Sequence, residues 1–373
     1  MLLGEARSKI DHIAGVPLRA ATSKELHLLS LAKGVHGTTA IEGNTLSEEQ
    51  VREHLEGNLH LPPSQAYLQR ELDNIVTAFN MARQYVADGD ARLTPNAVCV
   101  LNGLILSDLE LAEGVVPGEV RMGSVGVGRY LGAPAEDCEF LLQRLCSWLG
   151  GDDFNGAGDW KLPLDILRAV LAHLYIAWIH PFGDGNGRTA RLLEAVILMA
   201  RGVPTPAAHL LSNHYNTTRT EYYRRLDEAR RSVEHLVAFL EYAVRGFVDQ
   251  LGQQIAVIRT QQRHQAWQDH VEGVFKERAG PTAHRQRLIA LELGRTELPA
   301  KRADIPKLSP GIGLAYAGKT GKTIARDLNA LGDLGLITLT PKGYVARLDI
   351  VSAFLPARTE AELTGAIPPT SIG

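Results

Sequence analysis

His180-Pro181-Phe182-Gly183-Asp184-Gly185-Asn186-Gly187-Arg188-Thr189-Ala190-Arg191 is the stretch from which the rest of the chain is read. The run before it, 164–179 (LDILRAVLAHLYIAWI), is apolar and helix-prone, with Leu167, Val170, Leu171, Leu174 and Trp178 at helical spacing. Pro181 cannot continue that helix, so His180 falls at its C-terminal end. Gly185 and Gly187 flank Asn186, and a second apolar run, Leu192, Leu193, Val196 and Ile197, follows at once. The local expectation is helix, tight loop, helix.

A loop of that kind turns the free N–H groups of the second helix toward one concavity, which suits an anion. The side chains narrow the choice. Asp184 offers a hard oxygen to a cation such as Mg²⁺, which keeps waters and bridges phosphates. Asn186 can bond a phosphate oxygen, and the missing Cβ at Gly185 and Gly187 lets backbone approach closely. Arg188 and Arg191 are three apart, so they share a helix face and can clamp phosphates. His180 is the group that titrates near neutrality, the natural general base. A buried histidine at a helix end beside an Arg–Asp pair would explain His180 alone. The full constellation describes phosphoryl or nucleotidyl transfer.

These residues resemble the Fic motif, HxFx[D/E]GNGRxxR, without a mismatch. The resemblance extends over about 20–245 and implies transfer of AMP from ATP to a protein Ser, Thr or Tyr hydroxyl. It implies His180 as the base and Asp184 as the holder of Mg²⁺ between the α- and β-phosphates. Asn186, with the Gly185 and Gly187 amides, would hold those phosphates, while Arg188 would follow the β side and Arg191 the γ-phosphate. Leu211–Asn216 and Glu221–Leu226 resemble the later segment that encloses the nucleotide, and Tyr222 or Tyr223 would line an adenine pocket. Adjacent tyrosines on a helix point in different directions, so at most one faces the base, and core packing is an equal reading for either.

Upstream, Thr38-Thr39-Ala40-Ile41-Glu42-Gly43-Asn44 follows an amphipathic stretch over 24–37. Read plainly, it is a helix ending at Gly43, with Ser47 capping the next helix through a Ser-x-x-Gln box. It also resembles the [S/T]xxxE[G/N] inhibitory helix of Fic proteins, with Thr38, Glu42 and Gly43 at the matching positions. A carboxylate paired with Arg191 removes the cation that grips the γ-phosphate and puts negative charge in its place. Between the two, 46–60, 65–88 and a segment begun by Pro95 read as helices, with Leu72, Ile75, Val76 and Phe79 on one face. Met122–Leu131 (MGSVGVGRYL) reads as a short hairpin. By the resemblance it is the flap that registers an extended protein target, another protein or a segment of this chain itself, by strand addition. Arg121 matches the arginine before that flap, with no role assigned.

Past a long helix over 234–278, the chain reads differently. His284–Leu293 and Gly321–Leu331 form helices, and 336–340 with 343–348 flank Pro341-Lys342 as a hairpin. Helices followed by a hairpin resemble a winged helix-turn-helix, with Lys319, Lys322, Arg326, Lys342 and Arg347 as a positive stripe for DNA. A protein-interaction or dimerisation module, and hence a homodimer, is the equal alternative. Gly313–Thr320 spells GxxxxGK[ST], but no buried strand precedes it and too little chain follows for a nucleotide-binding sheet, so it is set aside.

The expected fold is therefore mainly α. It comprises an N-terminal helical region with the inhibitory helix (1–105), a Fic-type helical bundle with the hairpin flap (106–250) and a connecting helix (251–280). A small winged-helix domain (281–357) and a tail (358–373) complete the chain. A total of 373 residues accommodates two or three cores. The net charge of −3 gives no global pull toward nucleic acid or membrane. Three cysteines fit neither a disulfide framework nor a zinc site, the N-terminus lacks an apolar signal core, and charges interrupt 164–200, so no membrane span and a cytoplasmic location are expected. Two rivals remain open: removal of AMP or transfer of another phosphate-containing group, and a DNA-binding regulator whose Fic core senses nucleotide.

Overall fold

The computed structural model describes residues 1–89, 93–124, 126–127 and 130–352; the tail expected at 358–373 lies outside them. The chain divides into two units, Met1–Ala256 and Val257–Gly373. In the first, helices α1 (Leu2–Gly15), α2 (Ala20–Ile41), α3 (Glu48–Leu55), α4 (Ala66–Ala87) and α5 (Pro95–Ile105) precede a minimal hairpin of β1 (Gly126–Val127) and β2 (Tyr130–Leu131). Then come α6 (Ala135–Leu149), α7 (Lys161–Ile179), α8 (Asn186–Ala200), α9 (Thr205–Ala208), α10 (Leu210–Thr217), α11 (Arg219–Glu228) and the first part of α12 (Val233–Phe275).

The hairpin pairs antiparallel, Gly126 with Leu131 and Val127 with Tyr130, as the glycine-rich spacing predicts; positions 125, 128 and 129 of the expected flap lie outside the described residues. Helix starts follow local chemistry. Ser47 Oγ accepts the Gln50 N–H and Gln50 returns the bond to the Ser47 N–H, the expected capping box. Thr94 caps α5, with Pro95 at its first position.

Helix α7 is the interior element. Ile166, Ala169, Val170, Ala172, Leu174 and Ile176 are fully buried, and its neighbours are α1, α6 and α8. One sequence expectation is overturned here. The stretch Gly158–Ile179 is long and apolar enough, by length and composition, to cross a membrane, although charges were expected to rule out any such run. Its buried charges do not interrupt burial because they are paired: Asp165 and Arg168 lie 3.3 Å apart, with Arg201, from outside the stretch, adding a second contact to Asp165 at 3.4 Å. Most of the stretch is covered by the rest of the unit, as in a core helix.

Helix α8 lies against α7, α4 and α5. Leu72, Ile75 and Phe79 of α4 face inward, as their spacing predicts. The polar start of α8 is buried with its apolar remainder: Asn186, Arg188, Thr189 and Arg191 are all under 9% exposed. Buried amides hold its approach. Asn102 of α5, 0% exposed, donates to the Asp184 carbonyl at 3.0 Å and to Thr189 Oγ1 at 3.2 Å, and accepts the Gly118 N–H at 3.0 Å.

The second unit contains the rest of α12, then α13 (Pro281–Thr296), α14 (Pro310–Ala315), α15 (Gly321–Asp333), β3 (Ile337–Thr340) and β4 (Gly343–Ala346). The strands form an antiparallel hairpin across Pro341-Lys342, and Ala300 adds a bridge to Tyr344. Its apolar core includes Trp267, Leu293, Ile305, Ile312, Leu328 and Leu336. Within it Asp327 accepts from Arg285 Nε at 2.9 Å, Tyr316 Oη at 2.6 Å and Gln286 Nε2 at 3.2 Å, tying α13 to α15. Helix α14 has no counterpart among the sequence expectations. It contains Gly313–Ala315 of the Walker-like spelling, capped by Ser309 and preceded by a 3-10 turn rather than a strand.

Candidate active site

Two left-handed residues shape the motif loop. His180, directly after α7, has φ 52° and ψ 57°, and Gly185, at the N-cap of α8, has φ 75°. Glycine takes that conformation freely; for histidine it costs energy that the surroundings must supply. They do so through Arg121. Its guanidinium donates from Nε to the His180 carbonyl at 2.7 Å, from Nη1 to the Gly123 carbonyl at 2.5 Å and from Nη2 to the Ala133 carbonyl, and its own N–H bonds the Pro181 carbonyl at 2.9 Å. The side chain for which the sequence offered no role is thus a buried three-way fastening between His180 and both ends of the hairpin segment.

Burial pushes the His180 imidazole below its ordinary value, the charge of Arg121 adds to that, and the Ala177 carbonyl, 3.4 Å from Nδ1, opposes it. At neutral pH the ring is neutral and able to accept a proton. Asn186 turns its amide inward: Oδ1 accepts the Phe182 N–H at 2.9 Å and Nδ2 donates to the Phe182 carbonyl at 2.8 Å. It fastens the loop, and what it offers the cradle is its backbone N–H. The first N–H groups of α8 have no acceptor within the helix.

That positive opening is filled by carboxylates from elsewhere. Glu42, at the end of α2, reaches Arg191 with Oε1 2.5 Å from Nη2, while Arg191 Nε donates to Thr38 Oγ1 at 2.9 Å and Nη2 to the Thr38 carbonyl at 3.0 Å. A Cβ placed on Gly187 would collide with Glu42 Oε1, so the carboxylate rests on the first turn of α8. Burial alone would raise the Glu42 carboxyl; the Arg191 charge and hydrogen bond outweigh it, with Arg188 and Arg219 helping, and hold it below its ordinary range. Gly43 has φ 105°, and the Gly43 and Asn44 N–H groups bond the Ala40 and Thr39 carbonyls, closing α2 in a Schellman turn. The glycine of the predicted E[G/N] pair is therefore a backbone requirement.

Arg188 has a carboxylate partner that the sequence did not suggest. Glu71 of α4 accepts from Arg188 Nη1 at 3.2 Å, and Asp184 Oδ1 lies 3.5 Å from Nη2. Arg188 Nε is buried with no partner among the described residues, a donor left over for a ligand. Asp184 is half exposed and bonds the Gly185 N–H at 2.5 Å. No group of three or more His, Cys, Asp or Glu forms a metal cage among the described residues. A lone carboxylate beside an anion cradle nevertheless fits Mg²⁺, which completes its shell with phosphate oxygens and water.

Tyr222 and Tyr223 separate as their adjacency requires. Tyr222 is buried, its hydroxyl 2.9 Å from His173 Nε2 and its ring stacked on Tyr215. Tyr223 is 40% exposed and donates to the Ile41 carbonyl at 3.4 Å, beside Glu42.

With this geometry in hand, comparison with known proteins gives a consistent result. Residues 92–198 match the Fic/DOC family. This chain carries a Fic domain. Among curated relatives, protein adenylyltransferase fic-1 of Caenorhabditis elegans is 29% identical over 258 residues, covering 69% of this chain and 46% of the relative. Protein adenylyltransferase Fic of Drosophila mojavensis is 30% identical over 207 residues, covering 54% of this chain and 38% of the relative. The chain thus spans less than half the length of these relatives. Among solved structures, a Fic domain containing signaling protein from Bacteroides thetaiotaomicron aligns with TM-score 0.55 at 21% identity, over 68% of this chain and 97% of that one. A Fic family protein from Desulfovibrio desulfuricans aligns with TM-score 0.56 at 20% identity, over 92% of this chain and 95% of that one. Both likenesses concern the fold of the Fic domain protein.

Replacing Arg121 by methionine keeps the side chain's length but strips three partly buried carbonyls of a charged donor. Stability should fall by about 1.5–3 kcal/mol, the usual worth of hydrogen bonds to a charged group. A lower urea midpoint with an unchanged slope is the expected result.

Proposed function

We propose that the Fic domain transfers AMP from ATP to a Ser, Thr or Tyr hydroxyl of a protein, and that Glu42 restrains it. The observation that carries this reading is the Glu42 carboxylate seated on Gly187 and paired with Arg191, where an anionic ligand of α8 belongs. The curated relatives, named protein adenylyltransferases, supply the reaction class.

The neutral His180 takes the proton of the acceptor hydroxyl as its oxygen attacks the α-phosphorus. The bond from that phosphorus to the bridging oxygen breaks, and pyrophosphate leaves. The N–H groups at the start of α8 and the Arg188 and Arg191 guanidinia meet the charge spread over the phosphate oxygens. Asp184 would hold Mg²⁺, which neutralises phosphate charge when bound. The target segment adds as a strand to the β1–β2 hairpin, whose root Arg121 joins to His180. With Glu42 docked, Arg191 is occupied and negative charge stands in the γ-phosphate position, so ATP settles with its α-phosphate out of line. The free thiols Cys99, Cys138 and Cys146 accord with a cytoplasmic site of action.

Helix α15 and the hairpin after it favour a second role, binding duplex DNA. Lys319, Lys322 and Arg326 are grouped at the start of α15, and Lys342 is exposed at the hairpin turn. No ion pair engages these four cations among the described residues, whereas Arg347 is paired with Asp349.

With ATP and Mg²⁺, Glu42→Gly should raise AMP incorporation into protein by roughly 5–150-fold, the span of a coupling of about 1–3 kcal/mol. Adding His180→Ala should remove about 10²–10⁴-fold, as for loss of a general base. Intact-mass spectrometry reads both, and no AMP adduct on any protein sinks the assignment. In the Glu42→Gly chain the pH–rate profile should rise through one midpoint below 6.5, the ordinary value, because burial lowers the His180 pKa and the deprotonated form is active. A midpoint above 6.5 contradicts a neutral His180 base. Duplex DNA should bind with an affinity that falls steeply as salt rises, and Lys322→Glu with Arg326→Glu should abolish it; salt-independent or absent anisotropy change rejects the DNA role.

A further inference from the structure

The segment that carries Glu42 is fastened at a different residue. Glu42 pairs with Arg191 through a side chain that is still 32% exposed, and it faces the very guanidinium that a nucleotide phosphate would claim. Two residues on, Asn44 is 7% exposed and fully engaged. Its Nδ2 donates to Glu71 Oε2 at 2.8 Å and to the Leu68 carbonyl at 3.2 Å, both on α4, and its Oδ1 accepts the Leu46 N–H at 3.1 Å. The Asn44 N–H also closes the Schellman turn on Thr39. Glu71 divides its oxygens, Oε2 to Asn44 and Oε1 to Arg188.

We infer that Asn44, by gripping Glu71 and Leu68, is the positioning residue that holds Glu42 over Gly187, with Glu71 shared between this latch and Arg188. The inference rests on the proposed restraint by Glu42 and extends it. A rigid turn of two residues links the buried amide to the carboxylate, so loss of the Asn44 grip frees Glu42 without touching it. Because one carboxylate serves both the latch and Arg188, the docked state of the segment is felt at both motif arginines.

Asn44→Asp tests this with little change in shape. The substituted side chain still accepts the Leu46 N–H, but it presents an acceptor, negatively charged at neutral pH, to Glu71 and to the Leu68 carbonyl. Circular dichroism and thermal melting confirm folding; if Asn44→Asp does not fold, Asn44→Ala, which simply deletes the donor, takes its place. ATP affinity by calorimetry and AMP incorporation by mass are measured in the native and Glu42→Gly backgrounds. Asn44→Asp should raise both at least about fivefold in the native background and change neither by more than about twofold with Glu42→Gly present, since coupled sites are non-additive. If Glu42→Gly activates and Asn44→Asp does not, the latch is wrong while the restraint by Glu42 stands. Equal losses in both backgrounds reduce Asn44 to a structural residue and also overturn the proposal. If Glu42→Gly changes nothing, the restraint and the latch fall together.

Discussion

A helix cannot start inside a protein with its N–H groups bare and two arginines alongside unless something negative is supplied. Helix α8 does start that way, with Arg188 and Arg191 at 6% and 1% exposure. The negative charge comes from the ends and faces of other helices, Glu42 from α2 and Glu71 from α4. The left-handed turns at His180 and Gly185, the inward amide of Asn186 and the Asn102 ties all serve to keep that opening in one shape. The proposed restraint and the site are thus two answers to a single electrostatic demand.

Much of this was readable in the twelve-residue motif because backbone and chemical requirements coincide there. Gly185 is needed at φ 75°, Arg188 and Arg191 fall on one face, and Pro181 ends α7 beside His180. The Thr38–Gly43 stretch was readable for the same reason, since a Schellman turn and a pairing carboxylate share six residues. Helical periodicity likewise marked α4, α7 and α15.

What the sequence concealed are the long-range partners. Glu71 meets Arg188 across 117 positions, and Asn102 meets Asp184 across 82, with nothing local to mark either residue as more than a polar side chain on an amphipathic helix. The amide of Asn186 looked free for phosphate because its acceptor and donor, the Phe182 backbone, appear only once the loop is folded. The charges in α7 looked like interruptions because the contacts that neutralise Asp165, from Arg168 and Arg201, depend on the fold. Similarly, the Asp327 cluster is a polar knot inside an apolar periodicity that reads as plain core.

The fastening at Arg121 carries a mechanical consequence. One rigid, planar cation spans the backbone of His180 and both shoulders of the ribbon where the proposed target would lie. In the proposed reaction a tug on the ribbon would therefore be transmitted to the imidazole's own peptide, gearing recognition and proton abstraction together: a badly seated strand would misaim the atom proposed to receive the proton.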